Sequence, residues 1–389
     1  MESENVESLG HWSGDFFVRL DLPHMKRLPL LFLLVYLCSC NAELEKTNSE
    51  DFRQAIQGRA QGTTWQIVYY DLQERDLTPQ VDSILRRVDE SVSTYLDGST
   101  IDRWNKSDSG CTVDPLFLEL LLQSYEVYEA TNGAFDPTVK PLVSFWGFGP
   151  ERIAHPEVVD PKQIDSLLGL VRFDTLTLRM GDREVSLKDI LNNPNPKGEI
   201  FLHKPISGMQ LDFNAIGQGW SVDKVTEYLE SQGLKVYFVE IGGEIRAGYP
   251  KPDNGGENWR FGIDKPSEGN YDRELRAVIE LCNRGLATSG NYRKFYEKNG
   301  VRYSHTIDPK TGYPVQHSLL SATVLSNTAG KADALATAFM VMGTDSTIQY
   351  LNENSYLNSY IYLISDDGSG GYQTFQSRQL EGIINEELD

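Results

Sequence analysis

Basic residues are scarce in this chain: 36 Lys and Arg stand against 56 Asp and Glu over 389 residues, a formal charge of −20. Such an acidic surface repels a phosphate backbone, which argues against nucleic-acid binding. Cysteine is scarcer still. Four in a chain of this length make no disulfide framework, and no pair has the CxxC spacing of a zinc or redox site. A metal, if one is used, is therefore held by oxygen. Long apolar runs are also missing: the stretch Leu28 to Cys38 has 11 residues, about half of the roughly 20 that a spanning helix needs. No GxxxxGK[ST] loop, no GxGxxG after a strand and no HExxH occurs, which disfavours the common nucleotide folds and the zinc protease pattern. Core material, by contrast, is ample. Hydrophobic residues make up 40% and aromatics 11%, enough to fold one large domain or two joined lobes.

The short apolar run follows Met25-Lys26-Arg27 and precedes Ser39-Cys40, the layout of a signal peptide. Leu37-Cys38-Ser39-Cys40 resembles the lipobox of bacterial lipoproteins, which makes Cys40 the expected lipidated residue and the membrane a partner through that anchor. A plain secretory signal or a cytosolic apolar tail is the alternative. Residues 1–24 are acidic and form a poor n-region, so Met25 reads as the initiator and 1–24 as a non-native extension. The organisation expected is then a signal at 25–39, a polar tether at 40–59 and a folded domain at 60–389, facing the periplasm or the cell exterior.

Within that domain, Gly62 to Tyr70 is β-branched and aromatic and predicts a strand. Thr78-Pro79, Asp114-Pro115 and Asp160-Pro161 each place a capping residue before a proline, predicting three helix starts. The second helix is expected to stop at Asn132-Gly133, the left-handed terminator. Gly217 to Gln232 and Ala329 to Met342 predict further helices. Strands are expected at Val236 to Ile241, Trp259 to Ile263, Leu275 to Cys282, Arg302 to Ile307, Leu320 to Leu325, Tyr360 to Ile364 and Gly371 to Phe375. Strands arrive in runs, so the fold class is α+β, with mixed or antiparallel sheets and flanking helices.

Five segments are dense in Gly, aromatic, Asp and His. Thr131 to Thr138, followed by Trp146-Gly147-Phe148-Gly149, is turn chemistry at a helix end. Leu211 to Asp223 is a Gly-rich helix start, where backbone N–H groups suit phosphate as well as an ordinary N-terminus. Ile241-Gly242-Gly243-Glu244-Ile245 reads as a hairpin turn. Thr288-Ser289-Gly290 leads to His305-Thr306-Ile307-Asp308-Pro309-Lys310-Thr311-Gly312, where an imidazole and a carboxylate three residues on suit a base and its orienter; a structural histidine is the alternative. In Ala332 to Ala338, Asp333 and Thr337 lie four apart on one helix face. Two hard oxygen donors among alanines suit Mg²⁺, which completes its octahedron with phosphate and water; a helix-start Asp above a packed Thr is the alternative.

In this order, together with Gly62-Thr63-Thr64 and Ser93-Thr94-Tyr95, these segments resemble the ApbE family of bacterial FAD:protein FMN transferases, over roughly Gly62 to Gly343. The resemblance implies an α+β enzyme that binds FAD and Mg²⁺ and moves FMN onto a protein threonine, releasing AMP. It implies a flavin pocket of Tyr95, Ala134, Phe135, Asp136, Asp223 and His305. It implies a metal held by Asp333, Thr337 and the main-chain carbonyl at Gly217, with His305 or Asp308 taking the nucleophile's proton. Acceptors would be extracytoplasmic redox proteins bearing a short flavinylation motif that ends in the modified Thr. Two positions depart from the family: Gln61 stands where Met is frequent, and Gln218 where Lys is usual. Rival readings of the same residues are a Mg²⁺-dependent FAD pyrophosphatase and a non-catalytic flavin-binding lipoprotein.

Overall fold

The computed structural model describes residues 52–385 apart from 152–153, 193–197, 268–273, 293–294, 299 and 355–359. The extension, the signal segment and Cys40 lie outside the described residues. The expected tether ends earlier than residue 59, because Arg53–Ala60 is already strand β1 and pairs along its whole length with β2 (Thr63–Tyr70). Its polarity is that of an edge strand with one face in water: exposed and half-buried residues alternate, and Ile56 and Ala60 pack inward. Gln61 and Gly62 close the hairpin with positive φ at both positions, 52° and 73°, the turn whose twist matches antiparallel strands.

Helix α1 (Thr78–Val92) follows. Asp76 accepts from the Thr78 N–H at 2.9 Å, so the cap falls before Thr78, which is itself helical. Then come α2 (Thr100–Lys106), β3 (Gly110–Val113), α3 (Pro115–Ala130), α4 (Lys140–Phe145), α5 (Pro161–Leu168), β4 (Thr177–Met180), β5 (Arg183–Ser186), α6 (Leu187–Asn192) and β6 (Ile200–His203). Asp114 caps α3 by accepting from Phe117 N, and Asn132-Gly133 ends it with φ of 52° and 76°. The second half runs α7 (Gly217–Ser231), β7 (Tyr237–Ile241), β8 (Glu244–Ala247), β9 (Trp259–Asp264), β10 (Leu275–Leu281), β11 (Arg284–Gly290), β12 (Phe295–Lys298), β13 (Val301–Ser304) and β14 (Leu319–Ser326). It closes with α8 (Ala329–Met342), α9 (Thr344–Glu353), β15 (Tyr360–Asp366), β16 (Tyr372–Gln376) and β17 (Ile384–Asn385). The strand expected over Arg302 to Ile307 stops at Ser304, because the chain turns at Asp308-Pro309 and Ile307 makes only an isolated bridge to Pro314.

The fold class is α+β, and every strand pair among the described residues is antiparallel. Eight strands form the central sheet in the order β1-β2-β7-β8-β11-β14-β15-β16. Alternation decides what covers each face. Trp65, Ile67 and Tyr69 of β2 and Tyr237, Val239 and Ile241 of β7 pack under α1 and α7. Val68, Ile245, Ala247, Tyr362 and Ile364 point the other way, onto the three-stranded sheet β17-β10-β9. The largest core joins α3, α8 and the four-stranded sheet β3-β6-β4-β5, with Trp104, Phe117, Phe213 and Phe339 buried in it. Among the described residues no helix is long and apolar enough to cross a membrane.

Candidate active site

At Gly219 the backbone of helix α7 comes into direct contact with that of α8. Gly219 makes this possible: a Cβ there would stand 2.4 Å from the Ala329 carbonyl oxygen. The contact brings the two motifs together, since the Gly219 N–H donates to Asp333 Oδ2 at 3.2 Å. Asp333 is only 6% exposed, and burial, with the charge of Asp223 beside it, pushes its carboxyl up to about 7. Four residues on, the Thr337 hydroxyl lies 3.2 Å from that of Ser289 on β11. At the start of α7 the Gly217 carbonyl accepts from Ser221 Oγ at 2.7 Å, and Ser221 Oγ accepts from Gln61 Nε2 at 2.7 Å. Gln61, where the resemblance put a flavin-packing residue in doubt, thus directs its amide at the first turn of α7.

Asp223 has a structural task that its flavin-pocket assignment did not foresee. Its carboxylate accepts from the Ala329 and Gly330 N–H groups at 2.9 and 2.8 Å, capping α8 from α7. Arg246 adds a contact at 3.5 Å and donates to the Asn327 carbonyl at 2.5 Å. Burial raises Asp223 to about 6, and the two N–H donors oppose the rise.

The remaining motifs are tied in by specific bonds. The Gly242 N–H donates to Thr64 O at 3.2 Å, joining the Gly-Gly turn to Gly62-Thr63-Thr64. Gly242 and Gly243 have φ of 67° and 112°, confirming the hairpin, and Gln218 packs against Gly242. The Asp212 N–H donates to Pro137 O at 2.8 Å, which sets the approach to α7 against the Thr131–Thr138 segment. In that segment Ala134 and Phe135 are core residues. Asp136 accepts from the Thr138 N–H and hydroxyl at 2.7 and 2.5 Å, and burial pushes it up to about 7 against those two bonds. Tyr95 lies beyond α1 and is 71% exposed as a residue; partial burial and the charges of Asp212 and Glu151 raise its hydroxyl above the ordinary tyrosine value.

Trp146 Nε1 donates to the Gly312 carbonyl at 2.8 Å, holding the His305–Gly312 turn against the Trp146–Gly149 segment. His305 is half-buried with its ring 6.3 Å from that of Phe148. Both oxygens of Asp308 are engaged in its own turn, accepting from Lys310 N at 2.8 Å and Thr311 Oγ1 at 3.0 Å. That gives the acid a turn-forming role beside whatever it does for His305.

Two residues were not singled out from the sequence. Ser289 was read as part of a motif without a role. Glu244 was read as hairpin, yet it is 8% exposed with Oε2 lacking a hydrogen-bond partner; burial, then the charge of Asp333, raises it well above the ordinary range. The only sequence signal was an acid directly after Gly-Gly at a strand start. Among the described residues no group of three or more His, Cys, Asp and Glu can hold a metal, so a cation here would have to rely on hydroxyl and main-chain oxygens beside one or two carboxylates. Two small surface cavities of about 140 and 220 Å³, at Cys282-Arg284 and at Lys265-Tyr372, include none of the predicted site residues.

A profile of the ApbE family matches residues 61–361. The chain is 34% identical over 322 residues to the FAD:protein FMN transferase of Haemophilus influenzae, covering 81% of this chain and 87% of that one. It is 34% identical over 352 residues to the FAD:protein FMN transferase of Vibrio cholerae, covering 89% and 96%. The solved flavin transferase ApbE from Vibrio cholerae superposes with a TM-score of 0.69 at 32% identity, over 85% of this chain and 99% of that one. The apo flavinyl transferase ApbE of Pseudomonas stutzeri gives 0.71 at 29%, over 85% and 96%.

Proposed function

Because the chain belongs to the ApbE family, we propose that it is an FAD:protein FMN transferase, moving the FMN half of FAD onto a threonine hydroxyl of an acceptor protein and releasing AMP. The observation that carries this reading is the α7–α8 joint. It sets a buried carboxylate, Asp333, one turn from the paired hydroxyls of Thr337 and Ser289 and beside the Gly217 end of α7. These are hard oxygen donors around a negative charge that burial disfavours, and they suit Mg²⁺. Asp333, Thr337 and the Gly217 carbonyl would hold it, and when bound it would screen the pyrophosphate charge.

In the transfer, the threonine oxygen bonds to the phosphorus on the FMN side, the bond from that phosphorus to the AMP oxygen breaks, and AMP leaves opposite the nucleophile. His305 takes the hydroxyl proton, since an imidazole changes charge near neutrality, while Asp308 keeps the turn that presents it. The exposed ring of Tyr95 offers a face to the isoalloxazine. We propose further that Cys40 is lipidated and anchors the enzyme to a membrane outside the cytoplasm, where its acceptors are redox proteins bearing the flavinylation motif; mass spectrometry of the membrane-extracted protein checks this.

Measuring AMP release from FAD with and without an acceptor peptide tests the activity. Release that needs the peptide, together with flavin fluorescence on it, is the expected result. Release that ignores the peptide would make the protein an FAD pyrophosphatase, and no release under either condition a flavin-binding protein.

A further inference from the structure

The alternation of β8 separates its residues cleanly. Ile245 and Ala247 enter the apolar layer over the three-stranded sheet, so Glu244 and Arg246 face the helices. Arg246 fixes the register of that face by reaching Asn327 O and Asp223 at the start of α8. The neighbouring strand gives the same register independently. On β11, Gly285 pairs with Arg246 and lies against Ala329, where an added Cβ would stand 2.3 Å from the Ala329 nitrogen. Four residues further along β11, Ser289 meets Thr337. A strand rises about 3.4 Å per residue and a helix about 1.5 Å, so two residues of strand keep pace with one turn of α8. β8 runs antiparallel to β11, so stepping back from Arg246 to Glu244 advances along α8 from Ala329 to Asp333.

Glu244 therefore comes abreast of Asp333, nine-tenths buried, with Oε2 lacking a partner. A buried carboxylate oxygen without a donor is costly unless a cation meets it, and here a second carboxylate lies beside the same space. We infer that Glu244 is a further ligand of the divalent cation, sharing it with Asp333 from the strand side of the site. This rests on the metal-dependent reading above and extends it. Two anionic oxygens from opposite layers would neutralise the dication before substrate arrives, so the cation would be a resident of the free enzyme and not only a companion of FAD.

The test is calorimetric titration of Mg²⁺ into the metal-free full-length protein without FAD, for wild type, E244Q and D333N. We expect wild type to bind and E244Q to bind at least about tenfold more weakly. In EDTA, E244Q, isosteric and uncharged, should melt no lower than wild type, and it should gain less from added Mg²⁺. Should E244Q not fold, E244D takes its place with the same expected weakening. If D333N loses Mg²⁺ while E244Q, or E244D in its stead, retains wild-type affinity, Glu244 is a protonated buried acid and the inference is overturned alone. If wild type takes up no Mg²⁺ and its AMP release survives EDTA, the inference falls together with the metal-dependent reading.

Discussion

Alanine at position 219 tests the joint between α7 and α8. The added carbon would stand 2.4 Å from the Ala329 carbonyl oxygen and 2.8 Å from the Asp333 β-carbon, against an ordinary contact of about 3.5 Å. The helices must part by about 1 Å, because two of the three nearest atoms belong to backbone. Overpacking of this kind costs about 1–3 kcal/mol, and the better helix propensity of Ala offsets about 1 kcal/mol of it. The net loss of stability should be roughly 0–2 kcal/mol, too small to unfold the protein. Position is the more sensitive readout: displacing a catalytic group by about 1 Å costs on the order of 10² in rate. We expect G219A to fold, to lose a little urea resistance and to transfer FMN about a hundredfold more slowly at saturating FAD and Mg²⁺. The control for stability is G217A, two residues earlier on the same helix, where an added Cβ meets nothing within 4 Å; it should lose no urea resistance. Equal turnover in G219A and wild type would refute the claim that backbone proximity positions Asp333.

The Asp333→Asn variant keeps the size and one oxygen but removes the charge that draws a cation from its water shell; transfer should fall by orders of magnitude, with little rescue by excess Mg²⁺, and wild-type rates in it would sink the metal site. His305→Ala should lower kcat by roughly 10²–10⁴ with FAD affinity largely kept, as read by single-turnover and binding measurements; lost affinity at unchanged kcat would make His305 a pocket residue. Asp136 gives a pH test. Its folded-state value is raised to about 7 and its unfolded value is near 3.9, so the native state holds a proton that the unfolded state has released. Its contribution to stability is full below about pH 4 and declines as pH rises to about 7, by on the order of 4 kcal/mol. Urea unfolding of D136N should show a correspondingly smaller decline between pH 4 and 7, and parallel profiles for variant and wild type would remove the effect.

Helices with strong end signals were legible residue by residue. Asp114 and Asp160 cap their helices, and α8 has the bounds its small-residue pattern implied. The edge strand Arg53–Ala60 was not legible, since a strand with one wet face and polar ends carries little hydrophobic signal. The short strands β3 to β6 were missed for a related reason: four residues each give too few periods to distinguish a strand from a loop. In the site, Asp333 and Thr337 could be paired by helical spacing alone. Glu244 could not be paired with them, because its nearness to Asp333 follows from the register of two strands against a helix some 90 residues away, and no local pattern encodes that. Asp223 shows the reverse case. The resemblance named it for a ligand, while its bonds to Ala329 and Gly330 give it a structural reason to be acidic.

The bond from Gly219 to Asp333 closes a separation of 114 residues. Contacts of that span form slowly, because the loop-closure entropy of the intervening chain must be met before any of them contributes. Between the two helices lie β7 to β14, of which β7, β8, β11 and β14 belong to the central sheet, and the two motifs meet only when α8 settles against α7. Until then Asp333 and Glu244 are separate, hydrated carboxylates with no reason to repel each other. The acidic site exists only once that contact has formed, and no fragment ending before residue 329 contains it. A chain cut within β9 to β13 would have to bring its two halves back together before it could regain function.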